Sequence, residues 1–477
     1  MDLSARVRSS FRWTLTARAL GQLGTWAVTL YVMRVLSPTD YGLNAMAGVC
    51  IGFVQVVDSL GLGAAMVRER EPTERLLRQV MGVLVIVRIG LFIGFQLLAP
   101  LIGAFFDEPR VVPLLRVMAF LYLITIFETL PLVSLERAVT YKKISIAEMF
   151  GGACGTGVVL ACASAGYGVW ALVWGLLVQT AGRAIALNFI VRPMVLPMLR
   201  FDELGKHLRF GLFICSERLL GFAFQETDKV IGGHMLGATA SGFYSVGSHI
   251  ACLPVNKVMG LINSVTFSAF SSMQHGQRLN SRHLEQAVSM LSVSAFPVFF
   301  GLGSVAPELV PLVIGKQWLP SVPIIQILAV VMPLRMIANI LQPILWSAGA
   351  PRVSLANLAV ASAGMAIALA IGSRFGVIGL AMGWLLAYPP LFLWTVWRSC
   401  RHLGFSVRAV LGPVSMPLLA SLLMAGIVMA TRTLLSAELA HAVALAILTM
   451  TGAVAFASIM WMLDRSSIRE AVQFIRG

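Results

Sequence analysis

Long apolar runs separated by short polar connections set the pattern of the chain. Windows long and apolar enough for a helix to cross a bilayer, which takes about 20 residues, fall at residues 13–35, 41–67, 79–105, 112–135, 144–165, 168–191, 209–232 and 241–267. Six more follow at 286–306, 321–346, 353–372, 376–397, 410–430 and 440–463. The pattern predicts an all-α polytopic membrane protein with about 14 transmembrane helices. The windows at 209–232 and 241–267 are the most polar.

The connections carry a second pattern. With the N-terminus inside, the inner connections hold 23 Lys and Arg residues, and the outer ones only Arg110, Lys316, Arg374 and Arg432. That alternation follows the positive-inside rule and predicts an even number of spans with both termini cytoplasmic. The first apolar run is too long for a signal peptide and lacks a small-residue cleavage site, so it reads as an uncleaved span.

Two segments recur. RVLSPTDYGLNAMA at 34–47 lies over HMLGATASGFYSVG at 234–247, so that Leu36, Thr39 and Gly42 return as Leu236, Thr239 and Gly242, an offset of 200. GVWALVWGLL at 168–177 lies over GVIGLAMGWL at 376–385, an offset of 208. Each offset equals six predicted helices. Six is even, so both copies enter the membrane in the same direction, and the repeat is of the parallel kind with a pseudo-two-fold axis. The predicted organisation is an N-lobe of helices 1–6 (residues 1–200), a C-lobe of helices 7–12 (201–400), and two accessory helices with a cytoplasmic tail (401–477). Within LSPTDYG, Ser37 suits a helix cap and Pro38 the first helical position. Asp40 can accept a bond near the positive helix end.

Composition excludes several classes. Of 477 residues, 58% are hydrophobic and 12% charged, with a mean hydropathy of +0.85. A soluble domain carries about 25% charged residues. The net charge of +15 would suggest nucleic acid on a soluble chain, but the basic residues here lie between apolar segments, so no nucleic-acid partner is expected. Six scattered cysteines form neither a disulfide framework nor a zinc motif. No phosphate-binding loop, GxSxG, HExxH or dinucleotide fingerprint occurs, so no enzyme activity, cofactor or metal is expected. Without a nucleotide site, work must come from the substrate or an ion gradient.

The informative residues are charges at membrane depth, each costing about 2.5–3.5 kcal/mol at a helix centre. They are Arg18, Asp58, Arg88, Glu128, Glu148, Arg183, Glu217, Arg218, Glu226, Asp228, Lys229, Lys257 and Arg335. Mutual pairing is one reading. An internal hydrated space is the other, because charges occur on so many helices. Glu217, Gly221, Gln225 and Asp228 make one stripe of a 3.6-residue helix, with Arg218 and Lys229 on a neighbouring stripe; the helix then faces a cavity or is an extended cytoplasmic or periplasmic amphipathic helix. Arg18, Arg88 and Arg183 are candidate anion ligands of the N-lobe, because guanidinium matches phosphate oxygens with paired donors. Lys257 and Arg335 are their C-lobe counterparts. Asp58, Glu128, Glu217 and Asp228 are ion-coupling candidates. Trp170, Trp174, Trp384, Trp394, Trp397 and Trp461 suit sugar stacking or interface anchoring.

MRVLSPTDYGLNAMAG, DSLGLGAAMVRE at 58–69 and DKVIGGHMLGATASGFYSVG at 228–247 together resemble the polysaccharide-transporter flippases. These belong to the multidrug/oligosaccharidyl-lipid/polysaccharide exporter superfamily. The resemblance runs from about residue 10 to 400. It implies two six-helix bundles working by alternating access in the bacterial inner membrane. It also implies an undecaprenyl-diphosphate-linked oligosaccharide as substrate, flipped to the periplasmic leaflet for exopolysaccharide, capsule or O-antigen synthesis. Arg18 is the residue it carries over to the cavity; Asp228 and Lys229 match a DK pair without an assigned role. Expected partners are the lipid-linked substrate and membrane lipids, with a polysaccharide polymerase and a chain-length regulator as further candidates. Competing readings are a small-molecule antiporter, which favours an acidic cavity, and a peptidoglycan-precursor flippase. A polysaccharide polymerase, an enzyme, needs a large outer loop, and a membrane scaffold transports nothing.

Overall fold

A computed structural model describes residues 24–58, 73–138, 140–191, 197–198, 205–273, 281–435 and 440–463. Every described element is helical. The elements are α1 (24–35), α2 (Pro38–Asp58), α3 (Glu74–Phe105), α4 (Val111–Met118), α5 (Phe120–Arg137), α6 (Tyr141–Ser164), α7 (Val169–Val191), α8 (Gly205–Met273), α9 (Ser281–Val313), α10 (Val322–Ser347), α11 (Pro351–Ser373), α12 (Gly376–Leu403), α13 (Arg408–Leu434) and α14 (His441–Leu463). A 3-10 turn at Lys316–Ser321 leads into α10. Each of the fourteen apolar windows overlaps helix, and among the described residues ten helices are long and apolar enough to cross a membrane. The outward faces agree: Leu97 is 72% exposed and Phe189 74%, which suits lipid rather than water. The chain is a multi-pass membrane protein.

Two boundaries differ from the predicted windows. The span predicted at 112–135 is two helices joined at Ala119, where the Tyr122 N–H reaches back three residues to the Ala119 carbonyl and tightens the turn. The windows at 209–232 and 241–267 lie on one element, α8, broken at Gly237 with φ 77° and ψ 177°. That backbone region is open essentially to glycine alone.

The chain forms two compact units. The first contains residues up to Ala223 together with Gly237–Gly242. Its core joins α2, α4, α5 and α7 through Met46, Ala47, Leu114, Leu115, Tyr122 and Val173. The buried Tyr122 hydroxyl donates to the Ile51 carbonyl at 3.0 Å. α6 and α7 approach closely enough that a Cβ on Gly151 would lie 2.5 Å from the Gln179 carbonyl oxygen, the small-residue contact expected between membrane helices.

The repeated segments meet inside this unit. A Cβ on Gly42 would lie 1.7 Å from the Ala238 carbonyl oxygen, and one on Gly242 would lie 1.8 Å from the Pro38 carbonyl oxygen. Thr39 Oγ1 and Thr239 Oγ1 are 2.9 Å apart. Each contact has its mate at an offset of 200, so residues 38–42 and 238–242 cross about a local two-fold axis.

The second unit holds Phe224–Leu236 and everything from Phe243 onward. Val288, Phe296, Phe299, Ile337, Trp384 and Val396 are among the residues of its core. α13 and α14 pack on α9 and on each other. Arg432 of α13 clasps Glu308 of α9, with Nε on Oε1 at 2.7 Å and Nη2 on Oε2 at 2.8 Å, and also donates to the Ser304 carbonyl.

Candidate functional site

In the first unit the deep charges gather on α5. Glu128 is 3% exposed and accepts both arms of Arg183 from α7, the Nε at 3.0 Å. One turn earlier on α5, the Thr125 carbonyl accepts from Nη1 of Arg88, which is 4% exposed on α3. Arg88 and Arg183 therefore dock on neighbouring turns of one helix. A carboxylate so deep is tolerated only because a fork-shaped cation neutralises it. Arg183 also borders a cavity of about 300 Å3 whose polar wall includes Glu136, Ser145 and Glu148. Arg18 and the side chains of Asp58, Glu217 and Lys257 lie outside the described residues.

The second unit builds a different centre from α8, α10 and α12. Asp228 is 3% exposed. Its Oδ2 accepts from the Tyr244 hydroxyl at 2.7 Å and from Trp384 Nε1 at 3.3 Å, and its Oδ1 from the Lys229 backbone N–H at 2.8 Å. The Lys229 ammonium turns to Glu226 instead, at 2.6 Å. Arg335 of α10 is half-buried. Its guanidinium carbon stands 4.4 Å from the Trp384 ring centre and 5.6 Å from that of Phe224. Among the described residues it forms no salt bridge; its one polar contact is a weak approach to Met332 Sδ at 3.9 Å.

Trp384 was among the tryptophans named from sequence for stacking or anchoring, whereas Phe224 and Tyr388 beside it were not singled out. Phe224 and Asp228 are four apart on α8, Trp384 and Tyr388 four apart on α12, so each pair shares a helix face. A usable signal existed: α10 carries no acidic residue, so Arg335 cannot pair along its own helix. Of the other tryptophans, Trp394 and Trp397 lie under Arg398 and Arg401 at 5.1 and 5.7 Å, while Trp174 and Trp461 are exposed. No group of three or more metal-ligating side chains forms among the described residues.

The ends of α2 and α7 are locked together. Ser37 caps α2: its Oγ accepts from the Asp40 N–H at 3.2 Å, and Asp40 Oδ2 accepts from the Ser37 N–H at 2.9 Å, a reciprocal capping box. Asp40 Oδ1 also accepts from the Val169 N–H at 3.0 Å, the first residue of α7. One carboxylate thus serves two helix N-termini.

A family profile described as polysaccharide biosynthesis protein matches residues 31–323. The succinoglycan biosynthesis transport protein ExoT of Rhizobium meliloti is 24% identical over 98% of this chain and 94% of its own. The lipopolysaccharide biosynthesis protein WzxC of Escherichia coli is 24% identical over 81% of this chain and 79% of its own. In structure, the chain is similar to the lipid II flippase MurJ in an inward closed conformation, with a TM-score of 0.75 at 12% identity over 94% of this chain and 99% of that one. An inward-facing multidrug resistance transporter of the MATE family gives 0.59 at 16% identity, over 80% and 95%.

Proposed function

Because the chain belongs to the family of polysaccharide biosynthesis proteins, we propose that it is a lipid-linked oligosaccharide flippase and not an enzyme. Its substrate is an undecaprenyl-diphosphate-linked repeat unit, carried from the cytoplasmic to the periplasmic leaflet of the inner membrane by alternating access. Residues 1–200 and 201–400 act as its two lobes, residues 401–477 are accessory, and both termini are cytoplasmic. The name of ExoT supports a role in transport, and that of WzxC a role in lipopolysaccharide biosynthesis.

The observation that carries the reading is Arg335. A guanidinium held over two rings, with no carboxylate paired to it among the described residues, at membrane depth on an otherwise uncharged helix is costly and suited to an anion. Stacking uses the face of the group and leaves its edge N–H donors for phosphate oxygens. An antiporter for organic cations would instead need an unpaired carboxylate at that depth; Glu136 and Glu148 border the cavity beside Arg183, but two of the most deeply buried carboxylates are satisfied. Glu128 is neutralised by Arg183, and Asp228 is enclosed by three donors.

Reconstitution tests the proposal. Purified protein in liposomes, given a fluorescent undecaprenyl-diphosphate-linked oligosaccharide, should speed its appearance in the opposite leaflet. Arg335→Ala should slow this by about tenfold or more, the loss of one charge-assisted contact. Wild-type protein that leaves the lipid where it was added, or an Arg335→Ala protein as fast as wild type, would overturn it.

A further inference from the structure

Asp228 stands one layer behind Arg335. Its carboxylate receives an O–H, an indole N–H and a backbone N–H. Three donors aimed at one carboxylate are the surroundings of an acceptor. A cation site would need those positions filled by further oxygen lone pairs. Trp384 is fully buried, so its N–H must find a partner, and Asp228 is that partner. The same indole packs edge-on to Phe224 at 5.6 Å and lies 5.9 Å from Tyr388, so its plane is fixed on several sides. Arg335 rests on that plane.

We propose that Asp228 is a positioning residue: it anchors the Trp384 indole, which in turn presents the Arg335 guanidinium to a phosphate or diphosphate group. The ligand class rests on the flippase reading; the Asp228–Trp384–Arg335 relay rests on the geometry. The carboxylate serves by accepting hydrogen bonds, so its charge is dispensable and its oxygen is not. This departs from the ion-coupling role expected from the sequence.

The test uses the full-length protein in nanodiscs, with undecaprenyl diphosphate as probe and undecaprenol as its uncharged comparison. Arg335→Ala should weaken diphosphate binding about tenfold and leave binding of the alcohol unchanged. Asp228→Ala should weaken diphosphate binding by about tenfold, the scale of one lost buried hydrogen bond. Asp228→Asn, which keeps an acceptor oxygen, should bind nearly as well as wild type. Trp384→Phe keeps a ring but removes the N–H, and should match Asp228→Ala. The double variant should be no worse than either single one, because both break one relay.

Asp228→Asn as defective as Asp228→Ala in folded protein, with the sodium or pH dependence of transport abolished, would make Asp228 an ion-coupling group and overturn the proposal. So would an Asp228→Ala protein that binds as wild type does while Arg335→Ala does not; the flippase reading would survive that result. Equal binding of diphosphate and alcohol by wild type would defeat the flippase reading itself. Should Asp228→Ala fail to fold, Asp228→Asn and Trp384→Phe decide the matter.

Discussion

Thr39 and Thr239 share a hydrogen bond at 2.9 Å between their Oγ1 atoms, and they occupy the same place in two copies of a repeated segment. The crossing they mark is tight because Gly42 and Gly242 each face a carbonyl oxygen of the other copy. Gly42→Ala and Gly242→Ala should each destabilise the protein by about 3 kcal/mol or more, because backbone, unlike a flexible side chain, yields little room. Thr39→Ala should cost about 1 kcal/mol, one hydrogen bond. Gly48→Ala is the control: open space surrounds a Cβ there, so it should be neutral or stabilising by up to about 1 kcal/mol. Thermal unfolding in detergent ranks the four variants.

Asp40 should tolerate Asn far better than Ala. Asn keeps one acceptor oxygen for Ser37 or Val169, whereas Ala leaves the N–H groups of both without that acceptor. A lost cap costs about 1 kcal/mol, so Asp40→Ala should lose about 2 kcal/mol and Asp40→Asn about half of that. Chemical denaturation of the purified protein gives the comparison.

The Glu128–Arg183 pair should respond asymmetrically. Arg183→Ala strands a carboxylate whose side chain is 4% exposed, while Glu128→Ala strands a guanidinium whose side chain is 37% exposed. An uncompensated buried charge costs about 3–5 kcal/mol. Arg183→Ala should therefore be the more destabilising change, and removing both groups together should be milder than removing Arg183 alone. Equal losses from the two single variants would contradict this account.

Outside the spans, the Arg110 guanidinium beside Glu108 holds its carboxyl below the usual carboxylate range, chiefly through the hydrogen bond between them. A carboxyl depressed by folding adds stability above its unfolded pKa and loses it as pH falls through the folded value. The contribution should thus be complete at neutral pH and vanish only in acid, below the ordinary value of 4.5. Being an exposed pair, it should amount to less than about 1 kcal/mol. Unfolding of wild type and Glu108→Gln should converge as the pH is lowered and separate slightly at pH 7.

Span positions were legible because lipid enforces them: a helix crossing a bilayer must be apolar over its whole length, and sequence records that directly. The repeat at offset 200 was legible too, through Leu36, Thr39 and Gly42 and their counterparts. Its contact was not, since matching letters reveal kinship and not adjacency. The same limit governed the charges. Periodicity placed Asp228 on a stripe of α8, but nothing in the chain announces that Trp384, 156 residues away, supplies its donor. Asp40 was read as a local cap. Its bond to Val169, 129 residues on, follows from how two helix ends meet.

The Glu308–Arg432 clasp makes α13 and α14 passengers of the second unit. An antibody fragment raised against the outward face of that pair, or a fluorophore attached to it, would report on the second unit. The pair is therefore the natural handle by which to watch this transporter at work, one that leaves Arg335 and its aromatic floor unaltered.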